Sequence, residues 1–357
     1  MTALAPSDPA ARVMAMLHAR SSGLSKGEPL SPPIVSSAKF KLPGDPDDPH
    51  PYGRFANPTV EACEAALSAL EDAPCLAFPS GMAACTAALM AATNPGETVL
   101  VPTDGYYTVR LLLADFLSAG GRKMQTIATA EMAGADLTGI DAVWAETPSN
   151  PGLDLCDIAA LSKRTQAAGI RLIVDNTTAT PLLQQPLELG ADLVVSSDTK
   201  ALAGHSDVLF GHVASRDEAL MDKVRQWRKL SGSIASPFDA FLVHRGLMTL
   251  DVRLSRMCHN AETLVPIFEA ASSVEHVTYP GFGFVIGVTF PTAALAEKFI
   301  DGCPSLFPST SFGGVHTSAE RRARWGDRVP EGYVRLSVGC EPTGALLRSL
   351  EDSLDAL

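Results

Sequence analysis

The chain has 357 residues, 46% hydrophobic and 19% charged, with a formal net charge of −12 at pH 7. That length exceeds one ordinary core and predicts two folded units, and the composition is that of a compact soluble protein rather than a disordered one. The acidic balance, with no basic run to offset it, argues against nucleic acid or an anionic membrane as partner.

Residues 1–50 are rich in Pro, Ser and Gly, and Pro43-Gly44-Asp45-Pro46-Asp47-Asp48-Pro49 is a run of turn formers. An extended arm lying on a partner subunit is expected there. The arm has no basic stretch leading into an apolar one, so no export signal is expected. A large domain is expected over 51–235. Asn57 is placed to cap a helix with Pro58 at its first position and Val60, Cys63, Ala66, Leu67 and Leu70 on one face. Cys75–Phe78 reads as a strand and Gly81–Ala92 as a helix; Pro79, Ser80 and Gly81 interrupt this apolar stretch, so it is not a membrane span. Strands follow at Thr98–Val101, Lys123–Ile127, Ala142–Ala145, Arg171–Val174, Asp192–Val195 and Val208–Ala214. Helices are expected at Tyr106–Ser118, Ile158–Ala168 and Arg216–Leu230. This alternation predicts an α/β fold, a mainly parallel sheet covered on both faces.

Gly, Ser and Pro cluster at Ser231–Pro237 and mark a boundary. A smaller α+β domain is expected over 236–357. Phe238–Ala271 reads as one long helix or a kinked pair. Strands are expected at Gly287–Phe290, Leu306–Phe312 and Tyr333–Val338, with closing helices near Ala294–Phe299 and Gly344–Leu354.

Two apolar runs end in residues a core would not choose: Asp175 after Val174, and Lys200 within Ser196-Ser197-Asp198-Thr199-Lys200. Ligands of open α/β sheets sit at the carboxyl ends of strands. An acid and an amine converging there match a pyridoxal phosphate site, where the amine bonds an aldehyde and the acid holds a proton on the ring nitrogen. Alone, Lys200 reads as a surface charge and Asp175 as a turn residue. Their neighbours alter that reading, because Ser197 and Thr199 offer hydroxyls to a phosphate and Asn176-Thr177-Thr178 can cap without the carboxylate. Pro79-Ser80-Gly81-Met82 is either a plain turn or a phosphate-binding helix start. Tyr106 and Tyr107 sit where one can stack on a ring. Arg54, in the turn Tyr52-Gly53-Arg54, can bind phosphate or belong to a surface turn. Arg335 lies inside the apolar strand Val334–Val338, which calls for a carboxylate partner.

Other chemistries lack their patterns. Gly281-Phe282-Gly283-Phe284-Val285-Ile286-Gly287 has the wrong spacing for a dinucleotide fingerprint, and there is no G-x-S-x-G elbow, Walker A loop or H-E-x-x-H. Seven cysteines without a C-x-x-C pair give neither a disulfide framework nor a zinc site, so no metal is expected and a reducing cytoplasm is the expected home.

From Tyr52 to the C-terminus the chain resembles the Cys/Met metabolism, or transsulfuration, family of pyridoxal-phosphate enzymes. The resemblance rests on Tyr52-Gly53-Arg54, Asn57-Pro58-Thr59, Ser80-Gly81-Met82, Glu146-Thr147-Pro148-Ser149-Asn150-Pro151, Val174-Asp175-Asn176-Thr177, Ser197-Asp198-Thr199-Lys200, Gly204-His205-Ser206-Asp207, Ser311-Phe312-Gly313-Gly314 and Val334-Arg335-Leu336-Ser337-Val338-Gly339. It implies the aminotransferase-like architecture called fold type I and a set of roles. Lys200 would hold the cofactor aldehyde and shuttle protons. Asp175 would face the pyridine nitrogen, Asn150 the phenolic oxygen, and Tyr106 would stack on the ring. Gly81, Met82, Ser197 and Thr199 would bind phosphate, joined by Tyr52 and Arg54 from a neighbouring subunit. Arg335 and Ser311 would hold the carboxylate of an amino-acid substrate. A homodimer is then the smallest active unit and a homotetramer the usual one. Gly313-Gly314-Val315, Trp227-Arg228-Lys229 and Ala319 to Gly326 resemble the family's bacterial cystathionine γ-lyases, which implies γ-elimination of L-cystathionine. The rivals are γ-replacement on an acylated homoserine, methionine γ-elimination, and a catalytically silent binding protein on the same fold. The family's pattern has a glutamate soon after the Ser-x-Gly-Gly run, where this chain has Val315-His316-Thr317, and this chain lacks a segment after Gly281.

Overall fold

A computed structural model describes residues 8–47 and 50–357. Helix α1 (Pro9–His18) is capped by Asp8, whose carboxylate accepts from Ala10 N at 2.9 Å, and Met16 on it is 2% exposed. The arm is therefore not wholly extended: Ala11-Arg12-Val13-Met14-Ala15-Met16-Leu17 is a helical run inside a Pro- and Ser-rich segment. Residues 1–7, Asp48 and Pro49 of that expected arm lie outside the described residues. Helix α2 (Pro58–Glu71) begins as the sequence predicts, with Asn57 Oδ1 accepting from Thr59 N at 2.9 Å and Val60 N at 3.3 Å. Such a cap contributes about 1 kcal/mol.

Seven strands follow: β1 (Cys75–Phe78), β2 (Thr98–Pro102), β3 (Lys123–Ile127), β4 (Ala142–Glu146), β5 (Arg171–Asp175), β6 (Leu193–Ser196) and β7 (Gly211–Ala214). They form one sheet in the order β1-β7-β6-β5-β4-β2-β3, and β7 alone runs against its neighbours. Between them lie α3 (Gly81–Ala92), α4 (Tyr107–Leu111), α5 (Ile158–Ala168) and α6 (Thr180–Leu183), with α7 (Glu218–Ser231) after β7. Helix α3 is apolar on all sides because it is packed between the sheet and α7; Phe78, Leu89, Trp144, Ile173 and Val224 share that core. Val143, Leu161, Leu172 and Val174 fill the core on the other face, beneath α5. The helix expected over 106–118 is α only to Leu111 and widens into a π-turn over Leu112–Leu117.

Helices α8 (Pro237–Leu247) and α9 (Leu250–Ala270) are the kinked pair, broken at Met248 and Thr249. A second sheet holds β8 (His276–Thr278), β9 (Val285–Thr289), β10 (Phe307–Pro308), β11 (Ser318–Arg321) and β12 (Tyr333–Ser337) in the order β10-β11-β12-β9-β8. Helices α10 (Ala293–Gly302) and α11 (Thr343–Asp355) join α9 in burying it around Leu264, Phe268, Val288, Phe299 and Leu336. The strand expected over Leu306–Phe312 stops at Pro308. Beyond it the chain turns away from the sheet, with Ser311 at φ +83°, and this departure carries Ser311 and Phe312 to the end of the first sheet. Among the described residues no helix is long and apolar enough to cross a membrane.

Candidate active site

Strands β4, β5 and β6 are parallel and in register, so Glu146 lies beside Asp175 and Asp175 beside Val195. Their carboxyl ends open into a cavity of about 290 Å³. Gly81, Met82, Tyr106, Asn150, Asp175, Ser197, Thr199, Lys200, Ser311 and Arg335 all line it. Tyr52 and Arg54 do not. Arg54 donates to Lys229 O at 3.0 Å and lies over the rings of Tyr52 and Phe55, so one chain does not bring this turn to its own cavity.

Helix α3 starts at one wall, where Ser80 Oγ accepts from Ala83 N at 3.1 Å. A Cβ on Gly81 would lie 2.6 Å from Ser197 Cβ, so only glycine lets the helix start and the Ser197 turn close on each other. Gly81, Met82 and Ser197 thereby line the cavity together, and the first N–H groups of a helix, which have no partner within it, are donors suited to phosphate. Thr199 is already engaged, since its hydroxyl accepts from Phe210 N at 2.9 Å and donates to Phe210 O at 3.2 Å. Its role in the turn is therefore to tie it to the segment before β7.

Asp175 Oδ1 accepts from Thr177 N at 3.0 Å and Thr177 Oγ1 at 2.5 Å, and Thr177 Oγ1 accepts in turn from Ser197 N at 2.9 Å. Burial raises the Asp175 carboxyl, opposed by the two Thr177 hydrogen bonds and the Lys200 cation. Glu146, also buried, was not among the expected site residues. Its carboxylate accepts from Tyr106 N at 2.6 Å and Asn150 N at 2.8 Å, tying both turns to β4. Burial and the adjacent Asp175 push it well up.

Lys200 Nζ donates to Ser311 Oγ at 2.6 Å and lies 5.1 Å above the Phe312 ring. Burial, with the Arg335 and Arg322 cations beside it, lowers its amine from 10.5 to about 8. A lysine nucleophile works as the free amine. Capture of pyridoxal phosphate by the apoprotein is therefore expected to speed up as pH rises, with a midpoint at about 8. Stopped-flow absorbance checks this; a rate that keeps climbing towards the ordinary lysine range would contradict it.

Arg335, 3% exposed, donates through Nη1 to Asn150 Oδ1 at 2.5 Å and through Nη2 to Ser311 O at 2.9 Å and Glu320 Oε2 at 3.2 Å. Its Nε–H is buried with no partner among the described residues. Burial and Arg322 lower its guanidinium to about 10, against the pull of Glu320. Glu320 also accepts from Arg322 at 2.7 Å, Arg324 at 3.0 Å and Trp325 Nε1 at 2.6 Å. Burial raises this carboxyl, but those donors outweigh it and hold it at about 2. Glu320 and Arg322 were also not among the expected site residues. Their segment, Ala319 to Trp325, has the composition of a charged surface turn, and only the pairing of β11 with β12 sets Glu320 opposite Arg335.

A model of the Cys/Met metabolism pyridoxal-phosphate-dependent enzymes matches residues 15–288 of the chain. The chain belongs to that family. A Streptomyces coelicolor protein provisionally named cystathionine γ-lyase is 43% identical over 92% of this chain and 90% of its own length. Cystathionine γ-synthase of Mycobacterium tuberculosis is 36% identical over 85% and 86%, and L-methionine γ-lyase of Pseudomonas putida 32% over 92% and 94%. The crystal structure of metB from Corynebacterium glutamicum superposes with a TM-score of 0.93 at 33% identity, covering 98% of this chain and 99% of that one. The fold is that of the type I pyridoxal-phosphate enzymes, and the cofactor of the family is pyridoxal phosphate. The cavity suits it: a helix start closed on Ser197 for phosphate, a buried acid for the ring nitrogen, and an amine of lowered basicity for the aldehyde.

Proposed function

We propose that this transsulfuration-family enzyme catalyses γ-elimination of L-cystathionine, which with water gives L-cysteine, 2-oxobutyrate and ammonia. The observation that carries an α-amino-acid substrate is the open Nε–H of Arg335, buried beside the Lys200 amine across Ser311. The 43% identical relative supports cystathionine among the family's substrates. Pyridoxal phosphate, when bound, supplies an aldehyde for an amine and a ring that stores the electron pair left by a departing proton. Arg335 holds the substrate carboxylate and so fixes which face of Cα meets Lys200. The Lys200 amine takes the proton from Cα, and loss of a second proton from Cβ lets the Cγ–S bond break. Asp175 keeps a proton on the pyridine nitrogen. Tyr106 would stack on the ring, Asn150 would face its phenolic oxygen, and Gly81, Met82 and Ser197 would bind phosphate, with Thr199 anchoring the Ser197 turn through Phe210. Ser311 shares the carboxylate and steers Lys200 through its hydroxyl.

Tyr52 and Arg54 complete the phosphate site of a second copy, which makes a homodimer the smallest active unit; the assembly is the homotetramer that the family resemblance implies, and the seven free cysteines suit a reducing cytoplasm. γ-Replacement is the second reading, favoured by the cystathionine γ-synthase match. Incubation with cystathionine, with methionine, and with acylated homoserine plus cysteine separates the readings. Elimination yields keto acid from cystathionine. Thioether from acylated homoserine, without keto acid from cystathionine, would replace this reading with the second.

A further inference from the structure

Behind the cavity lies a group that none of these roles uses. His212 on β7, Asp198 between Ser197 and Thr199, and Glu71 at the end of α2 all have side chains that are 0% exposed. His212 Nδ1 is 2.7 Å from Asp198 Oδ1, and Nε2 is 3.1 Å from Glu71 Oε1. Carboxylates only accept, so an imidazole meeting one at each nitrogen donates from both and is a cation. Burial alone would lower its pKa, but the two carboxylates raise it to about 10.

Fold stability is a poor reason for this triad. Burying three charges is costly, and apolar residues of similar volume commonly do as well or better. Asp198 Oδ2 and Glu71 Oε2 are also buried without a partner among the described residues, and a half-satisfied network is worse than an apolar core. Position explains it better. Asp198 sits in the turn that carries Ser197, Thr199 and Lys200. On the other side, a Cβ on Gly211, the residue before His212, would lie 2.7 Å from Gly81 Cα. The β7 backbone thus touches the start of α3 while the next side chain grips the Ser197 turn. Those are the two halves of the phosphate cradle.

We propose that Asp198, His212 and Glu71 form a positioning device for the phosphate end of the cofactor, clamping the Ser197–Lys200 turn against the start of α3. This rests on the reading of Gly81, Met82 and Ser197 as the cradle. The test titrates apoprotein with pyridoxal 5′-phosphate and with pyridoxal, which has the same ring and aldehyde but no phosphate. Asp198→Asn is expected to weaken pyridoxal 5′-phosphate at least about tenfold, the scale of one lost charge-assisted hydrogen bond, and pyridoxal by less than about threefold. Should that variant not fold, Asp198→Asn with His212→Gln removes one charge of each sign from the core and is expected to fold with the same phosphate-specific loss. If the variants bind both aldehydes as the wild type does, or lose both alike, the positioning role is overturned. If the wild type itself binds the two aldehydes equally, the cradle reading falls first.

Discussion

Replacing Lys200 by alanine is expected to remove the absorption band of the lysine-bound cofactor and to lower turnover by at least about 10⁴-fold, the upper range for one positioned acid–base group. The size of the effect follows from the cavity. Among the described residues no other lysine lines it, so neither the covalent attachment nor the proton transfer has a substitute. Lys200→Arg separates charge from nucleophilicity: it restores a cation beside Asp175 and Ser311 but is expected to stay as inactive as alanine. Folding responds differently. A lysine whose amine is lowered to about 8 by burial and by two guanidinium neighbours is destabilised in its charged form, and its removal relieves Arg335 and Arg322. The alanine variant is therefore expected to melt no lower than the wild type, a trade of stability for activity common at functional sites. Absorbance and keto-acid release read the first effect, calorimetry the second. A visible band surviving in Lys200→Ala would move the attachment to another residue.

Asp175 and Lys200 were legible because Asp175 ends an apolar strand and Lys200 lies in the polar turn just after the next one, and strand ends in an α/β sheet are where ligands gather. Arg335 was legible for the opposite reason, as a charge inside a strand that otherwise reads as core. The two-sheet architecture followed from alternation and from the Gly-Ser-Pro cluster before α8. What stayed hidden depends on contacts far apart in the chain. His212 and Glu71 are separated by 141 residues, and nothing local marks either as half of a buried ion pair. Glu320 sits in Ala319-Glu320-Arg321-Arg322-Ala323-Arg324-Trp325, which has the composition of a charged surface turn. It is buried only because β11 pairs with β12, and no periodicity in four residues can announce that. Helix α1 was missed because prolines and serines around it dominated the composition of the arm.

That same pairing underlies the second large effect. Register places Glu320 directly opposite Arg335, and Glu320 is in turn held ionised by Arg322, Arg324 and Trp325. Arg335→Ala removes one partner from a buried, hydrogen-bonded charge pair, which costs about 2–5 kcal/mol and so roughly 30-fold to several thousandfold in kcat/KM. The loss is expected mainly in KM, because the guanidinium binds the carboxylate in ground and transition states alike. Cofactor absorbance is expected to stay, since Arg335 does not touch the phosphate cradle or the ring-nitrogen acid. Arg335→Lys keeps the charge but not the planar fork that Asn150, Ser311 and Glu320 engage, so it is expected to recover little. Arg324→Ala is the internal control. Its side chain is half exposed, and an ion pair open to water is worth at most about 1 kcal/mol, so it is expected to change KM by less than about fivefold. Steady-state kinetics on the substrate that gives keto acid decides between these outcomes. If Arg335→Ala saturates with the wild-type KM, the carboxylate is held elsewhere and the orientation of Cα towards Lys200 must come from another residue.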